Sequence, residues 1–165
     1  MKITSKDIVY NAMICALYVA LTIISIPISF YGLQFRIAEI LVLLCFFNKK
    51  YVIGITLGTA IANLASPIGL VDVGFGTLAT FLACIVIIFM KKLAIAAIFP
   101  VLFNSFIVGF ELWWVLNEPF WISVAQVAIG ELGVMIVAYI IFTFLKKRKD
   151  FQIIVNASQN VDFKF

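Results

Sequence analysis

The sequence consists of long apolar runs separated by short polar interruptions. Four of the runs are long enough to cross a bilayer as helices, while the second and third are short for a full crossing. Pro100 predicts a kink in the fifth run. In chain order the runs cover residues 8–26, 34–47, 51–65, 73–90, 93–116 and 121–145. The pattern predicts an all-α integral membrane protein, a six-transmembrane-helix bundle.

Basic residues are concentrated in the interruptions that six crossings would place on one side of the membrane. They are Lys2 with Lys6, Lys49 with Lys50, Lys91 with Lys92, and the KKRK run at 146–149. The intervening turns carry no Lys or Arg, only Asp72 and Glu118, and Arg36 is the one cation near that other side. Because basic loops tend to stay in the cytoplasm, this alternation predicts that both termini are cytoplasmic.

The composition excludes a soluble domain. Hydrophobic residues make up 65% of the 165 residues and charged residues only 12%, which is more apolar surface than a soluble domain of this size can bury. We expect one compact membrane-embedded bundle at residues 1–149. Residues 150–165 are expected to form a polar, flexible cytoplasmic tail.

Motifs for catalysis, nucleotide binding and metal binding are absent from the sequence. There is no G-x-x-x-x-G-K-[ST] loop, no Ser/His/Asp set, and no H-E-x-x-H or C-x-x-C motif. Histidine does not occur, and the three cysteines fit no metal spacing. We therefore expect neither an enzyme nor a cofactor or metal site in this chain.

The fifth run carries the strongest candidate for a functional residue. Asn104, Val108 and Glu111 lie at i, i+4 and i+7, so they share one face of a helix, and Trp114 falls close to the same stripe. A carboxylate inside an apolar span is costly unless it meets a partner, which makes Glu111 a candidate binding residue. The alternative is a helix-to-helix hydrogen bond that only holds the bundle together.

Further polar residues are predicted in the same outer half of the membrane, namely Asn63, Glu131, Gln126, Arg36 and Glu39. Arg36 opposes the helix macrodipole at the start of the second run, so we expect it to pair with Glu39 or with a carboxylate on another helix. Carboxylates and amides suit a flat heterocycle rich in hydrogen-bond donors, such as a guanine-like edge. An indole such as that of Trp114 would stack on the ring or anchor the helix at the membrane interface.

Small residues repeat every fourth position in two runs. Ala12, Ala16 and Ala20 do so in the first run, and a second stripe of Gly54, Gly58 and Ala62 does so in the third. Such stripes let helix backbones approach closely, either inside the bundle or against another protein. The sequence alone leaves both roles open.

Four segments carry a family resemblance: YGLQFRIAEILVLLCFF (31–47), NLASPIGLVDVGFGTLAT (63–80), NSFIVGFEL (104–112) and PFWISVAQVAIGE (119–131). In this order they resemble the QueT-type queuosine-precursor transporters, substrate-binding S components of energy-coupling factor (ECF) transporters. Ala38 stands where the family pattern has Ser beside the glutamate, and Ser105 stands where it has Ala. Both changes leave the carboxylates in place.

The resemblance implies that residues 1–149 form a six-helix substrate-binding bundle in the bacterial cytoplasmic membrane. It also implies a substrate site near the outer surface, covered by the loops after the first, third and fifth spans. The implied substrates are 7-deazaguanine bases with a cyano or an aminomethyl group at position 7. The resemblance also implies that the stripe of Ala12, Ala16 and Ala20 docks onto a transmembrane ECF scaffold subunit, and that two ATPase subunits supply the energy.

Three alternatives remain open beside this expectation. The ligand is another heterocyclic vitamin, or the chain is a stand-alone secondary transporter in which Glu111 and Glu131 couple protons, or it is an assembly protein that transports nothing. Copurification of a scaffold and two ATPases distinguishes the ECF-type alternatives from the others.

Overall fold

The computed structural model describes residues 4–26 and 34–155, and the regular structure of these residues is entirely helical. The helices are α1 (Ser5–Ile24), α2 (Ile37–Phe47), α3 (Val52–Asn63), α4 (Leu70–Ile88), α5 (Leu93–Leu116), α6 (Phe120–Leu145) and α7 (Lys149–Ile154). Four of them, α1, α4, α5 and α6, are long and apolar enough to cross a membrane. The all-α prediction is confirmed, whereas the count of six crossings and the cytoplasmic termini stay predictions.

Helix α2 lies at the centre of the bundle. Its first part, Ile37–Leu43, is a 3-10 helix and its last part, Leu44–Phe47, is α-helical. Residues 41–48 are all buried, and α2 contacts α1, α3, α4 and α6. A helix that is apolar all round belongs in a core. Its neighbours therefore shield this short helix along most of its length.

The longer helices and α3 follow one another around α2, with α1 against α3, α3 against α4, α4 against α5, and α5 against α6. The glycine stripe of α3 faces α1. A Cβ added to Gly54 would lie 2.6 Å from the Asn11 backbone oxygen, and one added to Gly58 would lie 2.9 Å from the Tyr18 Cβ. The Gly54 N–H donates to the Asn11 side-chain oxygen at 2.7 Å. This stripe therefore serves packing inside the bundle.

The alanine stripe of α1 lies on the opposite side of its helix. Ala12, Ala16 and Ala20 are exposed, while Asn11 and Tyr18 are buried against the rest of the bundle. The two small-residue stripes thus differ in kind, since one is internal and the other faces outward.

Helix α5 is interrupted at Ala97, where the segment Leu93–Ala96 ends and Ile98–Leu116 begins. The interruption precedes Pro100 by three residues, and proline cannot donate a backbone hydrogen bond to the preceding turn. The helix is thus interrupted about one turn before Pro100, while the predicted kink stays a prediction. Further along, α5 approaches α6 so closely that a Cβ on Gly109 would lie 2.8 Å from the Val124 Cγ2.

The start of α4 differs from the sequence prediction. The helix begins at Leu70, three residues earlier than predicted, so Asp72 lies in its first turn and is buried, not in a turn between helices. Gly69, with φ of 71°, provides a backbone conformation that favours glycine. An acidic side chain in a first turn is also stabilised by the helix macrodipole.

The segment after α6 was expected to be a polar, flexible tail, but it begins with the helix α7. The Phe151 ring packs edge-on against that of Phe47, with 5.4 Å between centroids. The backbone oxygen of Val155 accepts a hydrogen bond from the Tyr51 hydroxyl at 2.7 Å. This first part is therefore helical and packs on the bundle through its apolar residues, while the flexible cytoplasmic tail stays a prediction. Residues 156–165 lie outside the described part of the chain.

Candidate functional site

Seven buried polar residues lie toward one end of the bundle, where α2 and α4 begin and α3 ends. We call them the polar cluster, and each is at most 5% exposed: Arg36, Glu39, Asn63, Asp72, Asn104, Glu111 and Glu131. At 1.5 Å per residue, Glu111 lies roughly 8 Å from the end of α5 that faces the cluster. By the same rise, Glu131 lies roughly 17 Å into α6. The structure thus brings together polar residues of five helices, α2 to α6, around the first turn of α2.

Glu39, on the central helix α2, is bound by its neighbours. The Tyr18 hydroxyl of α1 donates to Glu39 Oε1 at 2.5 Å, and the Thr80 hydroxyl of α4 donates to the same oxygen at 2.8 Å. Tyr18 is 1% exposed and Thr80 is 0% exposed. Buried hydrogen bonds to a carboxylate fix its orientation and offset the cost of burying it. Glu39 therefore joins α1, α2 and α4 at the centre of the bundle.

Arg36 joins the beginning of α2 to α3 and α4. Its guanidinium donates a hydrogen bond to the Asn63 side-chain oxygen, and it forms an ion pair with Asp72 at 3.7 Å. The Asn63 amide nitrogen in turn donates to the Asp72 backbone oxygen at 3.0 Å. The predicted pairing of Arg36 with a carboxylate on another helix is confirmed, and the carboxylate is Asp72.

Gly76 allows this group to pack closely against α4. A Cβ at Gly76 would lie 2.6 Å from the Asn63 side-chain nitrogen, 2.6 Å from Asp72 Oδ1 and 3.1 Å from Arg36 Nη2. A Cβ atom cannot lie so close to these atoms, so any residue larger than glycine would displace the Arg36–Asp72 ion pair.

Glu111, Glu131 and Asn104 differ from the rest of the cluster. Within residues 4–26 and 34–155, none of their side-chain oxygen or nitrogen atoms has a hydrogen-bond partner, although all three residues are 0% exposed. Arg36 and Asp72 act electrostatically on Glu111, while Glu39, Arg36 and Asn104 act on Glu131. Asn104 lies close to Glu131, but the geometry falls short of a hydrogen bond. Buried polar atoms without a partner are rare in native proteins and call for an explanation.

The charges of the cluster are unequal. Four carboxyl groups (Glu39, Asp72, Glu111 and Glu131) surround a single guanidinium. Such a set favours a ligand that donates hydrogen bonds or carries positive charge. Among the described residues, no group of three or more Asp, Glu, Cys or His side chains is placed to hold a metal ion.

Two of the sequence-predicted site residues stand apart from the polar cluster. Trp114 is 59% exposed, and its ring lies beside that of Phe75 with 6.0 Å between centroids. Gln126 is half-buried. Asn104, Val108 and Glu111 thus form a buried stripe on one face of α5. Trp114, three residues beyond Glu111, is exposed and does not belong to this stripe.

Three residues of the site were missed at the level of the sequence, namely Tyr18, Asp72 and Thr80. A signal for Tyr18 was present, because Asn11, Tyr18 and Thr22 lie at i, i+7 and i+11 and so share one face of α1. All three are buried. Thr80 and Asp72 had no comparable signal, because their roles depend on contacts with Glu39 and Arg36 on another helix.

The sequence is similar to those of known membrane transporters. The model of the family described as QueT transporter matches residues 8–147. The protein named queuosine precursor transporter QueT from Lactococcus lactis subsp. cremoris (strain MG1363) is 36% identical, over 90% of this chain and 97% of that protein. No solved structure matches the chain significantly. With four helices able to cross a membrane, the chain is a multi-pass membrane protein, and it belongs to the QueT transporter family.

Proposed function

We propose that this chain is the membrane-embedded substrate-binding component of an ECF-type transporter and takes up a 7-deazaguanine precursor of queuosine. The ligand carries a cyano or an aminomethyl group at position 7. The observation that carries the proposal is the buried pair Glu111 and Glu131, whose oxygens have no hydrogen-bond partner in the described residues. The name of the Lactococcus relative, queuosine precursor transporter, supports the choice of ligand.

The chemistry of a deazaguanine fits these two carboxylates. Its guanine-type edge presents two adjacent N–H groups, which one carboxylate accepts together, and its ring carbonyl accepts from an amide. In this proposal Glu111 binds the two N–H groups and Asn104 donates to the carbonyl. Glu131, deeper in α6, meets the substituent at position 7. Glu39 and Asp72 already have partners inside the protein, and hold the site in shape.

The proposed orientation has six crossings with both termini in the cytoplasm. The polar cluster then lies in the outer half of the membrane, opposite the basic ends of the helices, and the substrate enters from outside. The positive-inside distribution of lysines supports this orientation.

The exposed stripe of Ala12, Ala16 and Ala20 is the proposed docking face for a transmembrane scaffold subunit. Small residues on an outward face allow another helix to approach closely, as in other membrane interfaces. Two ATPase subunits bound to that scaffold supply the energy, since this chain has no nucleotide-binding loop.

The mass of the small molecule that copurifies with the chain tests the proposal. We expect the mass of 7-cyano-7-deazaguanine or of its aminomethyl counterpart, and a scaffold and two ATPases in a gentle purification. The mass of a different heterocyclic vitamin contradicts the deazaguanine assignment. Uptake by the chain alone in proteoliposomes, driven by a pH gradient, contradicts the ECF assignment.

A further inference from the structure

An apolar groove lies between α5 and α6, at the end of the bundle away from the polar cluster. Its volume is about 250 Å³. On one side it is lined by Ala94, Ala97 and Val101 of α5, and on the other by Leu132, Met135 and Tyr139 of α6. On each helix these residues recur at i, i+3 and i+7, so each wall is a single helix face.

The two helices approach each other closely toward their other end. There Gly109 brings α5 against Val124 of α6. Toward the start of α5, Ala94 and Ala97 are too small to fill the space beside Met135, and the helix is interrupted at Ala97. The α6 wall of the groove includes the exposed apolar side chains of Leu132 and Ile136, so the groove opens toward the hydrocarbon of the bilayer.

Basic side chains stand at the end of the groove. Lys91 and Lys92 directly precede α5, three and two residues before Ala94, and both are exposed. Lys146 follows α6 at seven residues beyond Tyr139, which places it on the same helix face as the groove wall. In the part of the chain that the structure describes, the two ion pairs involve other residues. These three lysines therefore form no ion pair there.

We propose that this groove binds an anionic phospholipid. One acyl chain lies between α5 and α6, and the phosphate is bound by Lys91, Lys92 and Lys146. The charge of the mouth favours this occupant, because basic pockets between transmembrane helices bind anionic headgroups. The walls favour it too, since they are almost wholly apolar and lie at the depth of acyl chains. The proposal is independent of the substrate and of the direction of the chain in the membrane.

Native mass spectrometry of the purified chain in detergent tests the proposal, with phosphatidylglycerol and phosphatidylcholine of identical acyl chains as probes. Ala94→Phe fills the groove, and Lys91→Ala/Lys92→Ala removes charge from its mouth. The matched controls are Ala125→Phe, at an exposed position nearer the start of α6, and Lys6→Ala/Lys49→Ala, with the same loss of charge near α1 and α3.

We expect the parent chain and both controls to retain one phosphatidylglycerol in preference to phosphatidylcholine. The lysine variant should bind phosphatidylglycerol about tenfold more weakly without a change toward phosphatidylcholine, whereas Ala94→Phe should lose both lipids. Equal retention of the two lipids by the parent overturns the proposal. An equal loss of phosphatidylglycerol in the Lys6→Ala/Lys49→Ala control also overturns it. The same holds for an Ala94→Phe variant that keeps its lipid and instead loses a protein partner. If Ala94→Phe does not fold, the lysine variant decides alone, because its changes are at exposed positions.

Discussion

The carboxylates of the polar cluster differ in how well the protein itself satisfies them. Glu39 accepts from Tyr18 and Thr80, and Asp72 pairs with Arg36. Glu111 and Glu131 have no comparable partner among the described residues. At the scale of single residues, the first pair therefore contributes to the fold, and the second pair is the one that we propose binds the ligand.

Glu131 is expected to distinguish between the two candidate substrates. An aminomethyl group is a cation, and a charge-assisted hydrogen bond is worth about 1.5 to 3 kcal/mol, or roughly tenfold to hundredfold in affinity. Glu131→Gln should therefore weaken binding of the aminomethyl compound by about that factor and affect the cyano compound less. Isothermal titration calorimetry with both compounds measures the difference. Equal losses for the two ligands would place Glu131 away from position 7.

Gly76 offers a test of the Arg36–Asp72 ion pair. In Gly76→Ala the new Cβ would meet Asn63 and Asp72 at 2.6 Å, so we expect a lower melting temperature and weaker ligand binding. Gly74→Ala, on the same helix, is the matched control, because a Cβ there has nothing within 4 Å. Removing this glycine from a helix should stabilise the protein by about 0.5 to 1 kcal/mol. Similar melting temperatures for the two variants would mean that the packing at Gly76 is loose.

Helices of this chain were predictable to within a few residues, because apolar runs and their polar ends are explicit in the sequence. The 3-10 form of Ile37–Leu43 and its central position were not, since a short apolar run looks the same at the core and against lipid. Asp72 was placed in a turn because the apolar run begins only at residue 73, after this charged residue. Only its ion pair with Arg36, on another helix, shows that it belongs to the site.

At the scale of elements, the two faces of α1 have different surroundings. Tyr18 and Asn11 hold α1 to α2 and α3, while the alanine stripe remains outside. The sequence could not separate these roles, because alanine and glycine stripes both permit close approach.

Ala16→Leu tests the outward role of α1. The larger side chain should prevent close docking of the scaffold and abolish uptake, while the isolated chain still binds its ligand nearly as the parent does. Uptake assays on the assembled transporter and calorimetry on the isolated chain give the two readouts. Ala125→Leu, an exposed alanine on α6, is the control and should transport normally. Loss of ligand binding together with uptake would instead mean that Ala16 packs inside the bundle.

At the scale of the whole molecule, the polar cluster and the basic groups lie at opposite ends of the helices. The polar cluster lies where α2 and α4 begin, whereas Lys49, Lys50, Lys91 and Lys92 lie at the opposite ends of the helices. This separation is predictable from the sequence once the crossings are assigned, because the lysine clusters and the buried carboxylates lie near opposite ends of the apolar runs.

Single cysteines test the orientation of the chain. In a background without native cysteines, cysteines at Lys49 and Lys91 should resist an impermeant thiol reagent in intact cells. One at Glu118, between α5 and α6, should react. Labelling after lysis is the control for accessibility, and the reverse pattern in intact cells would place the termini outside.

The central claim is that Glu111 binds the guanine-type edge of a deazaguanine. Glu111→Gln keeps the shape of the side chain but replaces an acceptor with an N–H₂ group that faces the ligand's own donors. The decisive measurement is a calorimetric titration of 7-cyano-7-deazaguanine into the parent and into Glu111→Gln, with the fold of each checked by its melting temperature. We predict that the variant folds and binds about tenfold more weakly or worse. A folded variant that binds as tightly as the parent would contradict the account.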